Sequence, residues 1–99
     1  MTPWLFLLSS PEQPGGEPLP ELLARAGHPV TVVVTDDFVV DAVVGGRAAE
    51  LTGCGIEVLY DDAALRRRGL RDRVGAAARR SHDDVAALLL DERTKVVWR

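Results

Sequence analysis

The sequence predicts a three-layer α/β/α domain built on a mainly parallel five-stranded sheet, in the order βαβαβαβαβ. Three observations carry this. First, Trp4-Leu5-Phe6-Leu7-Leu8 and Val30-Thr31-Val32-Val33-Val34-Thr35 are almost unbroken apolar or β-branched runs, as expected of strands covered on both faces. Second, stretches whose apolar residues recur at helical spacing separate such runs. Third, the helical stretches have their own punctuation, with Gly27 and Gly69 as stops and Asp61 and Ser81 as starts. Alternating strand and helix implies right-handed crossovers and a sheet covered by helices.

The elements follow in order. Ser9-Ser10-Pro11 ends the first strand. Residues 11–18 hold three prolines and two glycines and read as a loop. In folds of this kind the first strand-to-helix loop often borders a ligand. A helix is expected from Pro18 to Ala26, with Leu19, Leu22, Leu23 and Ala26 as its apolar stripe. His28 reads as a solvated turn residue before strand two. That strand ends at Asp36-Asp37, and either carboxylate suits a helix cap.

From Phe38 to Leu51 the residues Val40, Val43, Val44, Ala48 and Leu51 keep helical spacing, while Gly45-Gly46 interrupts. A helix broken or bent near Gly45 is the reading adopted. The rival is a hairpin turning at Asp36-Asp37, a turn without the glycine that tight hairpins favour. Thr52 to Gly55 turns into strand three, Ile56–Tyr60. Asp61 or Asp62 caps a short helix from Ala63 to Arg68, and Gly69 ends it. Ser81 with Asp84 forms a capping-box start, so the chain must leave any helix before it. Residues 76–80 are therefore read as a poor fourth strand. The last helix spans His82 to Asp91, with Val85, Leu88 and Leu89 inward, and Thr94–Trp98 is strand five.

Composition bounds the function. Ninety-nine residues make a single domain, residues 1–99. A net charge of −3 gives no bulk attraction for nucleic acid. Direct nucleic-acid binding is not expected, and neither is a membrane. The run at Met1 to Ser10 lacks a basic flank and is too short for a signal core or a span. One cysteine precludes an internal disulfide and suits a reducing, cytoplasmic setting. Glycine spacing matches neither a dinucleotide fingerprint nor a phosphate-binding loop. His82 has no second ligand at i+4. No metal and no cofactor are expected.

Four stretches carry a resemblance. They are Leu5-Phe6-Leu7-Leu8-Ser9-Ser10-Pro11, then Ala26-Gly27-His28-Pro29-Val30, then Ile56–Tyr60 followed by Ala64-Leu65-Arg66-Arg67-Arg68-Gly69-Leu70, and finally Lys95-Val96-Val97-Trp98. In that order and spacing, over nearly the full length, the chain resembles the DsrE/DsrF/DsrH-like family of small sulfur-relay proteins. These include the Tus proteins of tRNA 2-thiolation. The carboxyl end is most similar to the DsrH/TusB type. The resemblance implies an α/β/α domain assembled as a homo-oligomer or with related subunits, with a sulfur-donor protein as a further partner. It also implies a persulfide-bearing cysteine at the end of strand three in members that carry sulfur. That position is Tyr60 here, and a phenol cannot form a persulfide.

The site candidates follow from both readings. Cys54 is the catalytic candidate, as the only thiol, although it precedes strand three; a turn cysteine without function is the plain alternative. Ser9, Ser10, Asp36, Asp37, Tyr60 and Asp61 fall at strand carboxyl ends, where ligand crevices form. Helix capping accounts for the aspartates equally well. Arg66, Arg67, Arg68, Arg71 and Arg73 form a basic cluster, read as a surface for a phosphate-bearing tRNA or an acidic subunit, or as a solvated face. Three functions remain open: a sulfur-relay subunit that is not an enzyme on its own and associates through apolar faces and Phe38 and Trp98; a sulfur carrier using Cys54; and a small-ligand-binding regulatory domain.

Overall fold

The computed structural model describes residues 2–10, 16 and 18–99. The expected loop at 11–18 therefore lies largely outside the described residues. Five strands form one sheet: β1 (Trp4–Leu8), β2 (Val30–Val34), β3 (Glu57–Asp61), β4 (Arg79–Arg80) and β5 (Lys95–Trp98). Their order is β4-β3-β2-β1-β5, and every pairing is parallel. The fold is thus the three-layer α/β/α arrangement.

The helices are α1 (Leu19–Arg25), α2 (Phe38–Val43), α3 (Arg47–Gly53), α4 (Asp62–Arg67) and α5 (His82–Leu89), with 3-10 turns at Arg71–Arg73 and Ala76–Ala78. From β1 the chain steps in one direction to β2, β3 and β4. Right-handed crossovers put α1 to α4 on one face. The last step jumps back past β1 to β5, so α5 lies on the other face. Side-chain alternation along the strands matches. Phe6, Leu8, Val32 and Val34 pack with Phe38, Val39, Leu51 and Leu65, whereas Leu5, Leu7, Val33 and Leu59 pack under Val85, Leu88 and Leu89.

Of the break or bend expected near Gly45, the structure shows the break, between α2 and α3. A Cβ on Gly45 would sit 2.7 Å from the Asp41 carbonyl oxygen, and Gly46 is left-handed at φ 82°. Only glycine meets both demands without strain. The fourth strand is shorter than expected. Ala76–Ala78 form a 3-10 turn, and only Arg79 and Arg80 pair, alongside Tyr60 and Asp61.

Three expectations need correction. The apolar stripe of α1 is rotated: Pro20 and Glu21 are buried, while Leu22 is 44% exposed. Arg47 of α3 causes this, because its guanidinium grips both Glu21 oxygens at 2.8 and 3.0 Å. A buried carboxylate needs such a partner. Phe38 is 1% exposed and belongs to the core, so it offers no surface to a partner. His28 is half-buried, edge-on to the Trp4 ring at 6.4 Å, rather than solvated.

Candidate functional site

All strands are parallel, so their carboxyl ends share one rim of the sheet. The residues at that rim point alternately to the two faces. Asp61 faces α5 and is 5% exposed. Its Oδ1 accepts the Ala63 N–H at 3.2 Å, which caps α4, and its Oδ2 accepts the Thr35 hydroxyl at 2.7 Å. The imidazole Nε2 of His82, first residue of α5, lies 3.6 Å from Asp61 Oδ1. Ser81 holds that helix start in place by accepting the Asp84 N–H at 3.2 Å. Thr35, Asp61 and His82 line a 400 Å³ crevice together with Asp36 and Arg67, and Leu7, Val33, Val85 and Leu89 supply its apolar lining.

Tyr60, one residue earlier, faces the other way. It lines a 430 Å³ cleft bounded by α3 residues Ala48, Ala49 and Thr52 and by the stretch from Arg73 to Ala78. Burial pushes its phenol pKa up from the usual value.

The six crevice candidates therefore separate. Asp36 and Asp61 share the α5-side crevice, and Tyr60 lines the opposite cleft. Ser9 and Ser10 donate their hydroxyls to the Arg99 carbonyl at 3.2 and 3.3 Å, tying the chain end to β1. Asp37 precedes α2, but its side chain caps nothing; it pairs with Arg68 at 2.6 Å. Asp36 makes the sharp exit from β2 with φ 49°, a left-handed conformation that aspartate tolerates better than most residues. Cys54 follows α3 at the amino rim, half-buried against the larger core, at the opposite end of the sheet from Asp61.

The basic cluster is largely matched by carboxylates. Arg66 and Arg71 meet Asp62 at 3.3 and 2.9 Å, and Arg67 approaches Asp36 at 3.9 Å. Among the described residues no group of three histidine, cysteine, aspartate or glutamate side chains is placed to hold a metal ion, and no helix is long and apolar enough to cross a membrane.

Reading the sequence did not find Thr35, Arg67 and His82 as crevice residues. Thr35 was accessible to the strand-end rule, since it directly follows β2. His82 was not, because its position depends on β4 pairing beside β3. No family model, curated protein or solved structure matches the chain.

Proposed function

We propose that this chain is a non-catalytic subunit of a sulfur-relay assembly of the DsrH/TusB-like kind that serves tRNA 2-thiolation, and that it works in the cytoplasm by associating with related subunits. One observation carries the reading. Where the resemblance expects a sulfur-bearing cysteine, the chain has the phenol of Tyr60, set into a cleft with burial raising its pKa. The one thiol, Cys54, belongs to the other rim. A subunit with this arrangement contributes structure to a relay whose sulfur is carried elsewhere. Trp98, at the sheet edge beside Leu7, is 68% exposed. An exposed aromatic on an edge strand suits subunit contact.

The test has two parts. Incubation with a cysteine desulfurase and cysteine is expected to leave the intact mass of the chain unchanged. A sulfur adduct that disappears in Cys54→Ser would replace this reading with that of a carrier. Sedimentation is expected to show self-association or association with a co-expressed DsrE-like subunit. A strict monomer that binds neither would remove the assembly role. The crevice beside Asp61 favours a second reading, a small-ligand-binding regulatory domain. A rise in thermal stability with a small ligand would support it, and no shift across a broad panel would count against it.

A further inference from the structure

The crevice under α5 holds an acid–base pair that the assembly role does not use. Asp61 is buried and fixed by two donors, Thr35 Oγ1 and the Ala63 N–H. His82 Nε2 faces the carboxylate at 3.6 Å. With one nitrogen turned to Asp61, Nδ1 is left to take a proton. An imidazole beside a fixed carboxylate is one part of the arrangement that activates a nucleophile, and at 3.6 Å the two form an ion pair once the imidazole is protonated. The crevice contains no nucleophile of its own. The Thr35 hydroxyl is engaged by Asp61, and the remaining lining is apolar apart from Asp36 and Arg67, which approach each other at 3.9 Å.

We propose that this crevice binds a thiol carried on an apolar stem, and that His82, positioned by Asp61, takes its proton. The S–H bond breaks, its electron pair stays on sulfur, and the proton goes to Nδ1. A thiol and a neutral imidazole thus become a thiolate and an imidazolium, with no other reactant. The basicity of imidazole selects the thiol. A thiol is acidic enough to give its proton to an imidazole, whereas an alcohol is a far weaker acid. Asp61 faces the imidazolium, and Arg67, 3.9 Å from Asp36, lines the same crevice. Leu7, Val33, Val85 and Leu89 receive the stem. The inference does not rest on the assembly reading, because one copy of the chain supplies every group named.

The experiment uses benzyl mercaptan as probe and the Cys54→Ser protein, which removes the chain's own thiol. Methyl NMR locates the probe, and ultraviolet difference absorbance reads the thiolate. Expected are shifts in the methyl signals of Leu7, Val33, Val85 and Leu89, and a thiolate fraction at neutral pH about tenfold above that of the probe in buffer, equivalent to one pKa unit. His82→Gln, at a side chain 72% exposed, is expected to fold, to keep the methyl shifts and to lose the thiolate gain. Asp61→Asn is expected to weaken the gain. Absence of the methyl shifts, absence of the gain, or a gain retained in His82→Gln would each overturn the proposal. The readings come from a single copy, so they fail or succeed independently of the sedimentation result.

Discussion

Tyr60 and Asp61 are consecutive, yet they serve opposite faces of the sheet. The face of Tyr60 is covered by α1 to α4 and holds the larger core, with Phe6, Phe38, Leu51 and Leu65 all at or below 1% exposure. Among the described residues, the face of Asp61 is covered by α5, over Leu5, Leu7, Val33 and Leu59. No residue of α5 is fully buried. Folding free energy therefore resides mainly on one face, and accessible polar chemistry on the other. A lightly covered face is also the one that opens most readily, as binding regions tend to be.

The most severe test of that asymmetry removes one large side chain from each face. Phe38→Ala should cost about 3–5 kcal/mol, the cost of burial plus a residual cavity. That is a large share of the roughly 5–15 kcal/mol that holds a domain of this size. Leu89→Ala, at a half-buried position, should cost only about 1–2 kcal/mol. Urea unfolding of both variants checks this. Equal costs would mean that the two faces are equally important to stability.

The same asymmetry explains what could be read in the sequence. β1 and β2 announce themselves because double-sided burial demands continuous apolar residues, and the apolar centres of β3 and β5 stand out between turn residues and charges. β4 does not, because two arginines that pair only with Tyr60 and Asp61 carry no apolar signal. The strand-end rule gathers Ser9, Asp36, Tyr60 and Asp61 at one rim, but it is blind to face. A step of one residue reverses the side of the sheet, so Tyr60 and Asp61 separate as soon as the register is known. Capping was legible at Ser81, and at the start of α4 to within the adjacent pair Asp61 and Asp62, of which Asp61 accepts the N–H. At Asp37 it failed, because Arg68, distant in sequence, claims the carboxylate. The rotation of α1 failed for the same reason: the partner of Glu21 lies 26 residues away.

The Glu21–Arg47 pair ties α1 to α3 on the thick face, and its effect depends on pH. Burial pushes the Glu21 carboxyl up, and hydrogen bonding and charge from Arg47 more than offset this, so it titrates below its usual value of 4.5. A group whose folded value is depressed contributes stability that is complete above the unfolded value and is lost as pH falls through the lower folded one. Arg47→Met leaves a buried carboxylate without its guanidinium and should cost about 1–3 kcal/mol near neutrality. The variant should also lose less on acidification below about pH 4.5 than the parent does, because protonation then relieves a carboxylate that burial disfavours. Urea unfolding between neutral and acidic pH reads both effects. An unchanged acid limb would show that the pair does not couple α1 to α3.

The smallest effect is expected at the start of α5, and it separates the two faces most cleanly. Ser81 caps that helix through the Asp84 N–H, so Ser81→Ala should cost about 1 kcal/mol. On the thick face a loss of that size would be spread through a shared core. On the thin face α5 has only partial burial to fall back on, so its first turn should fray locally. Amide exchange is the sensitive measure. Protection should fall in α5 while β1, β2 and β3 keep theirs. His82, the residue next to the cap, should then be held less firmly beside Asp61, and the thiolate gain with benzyl mercaptan should drop even though both side chains are intact. Uniform loss of protection across sheet and helix would show instead that α5 unfolds only with the whole molecule, and that the two faces form one cooperative unit.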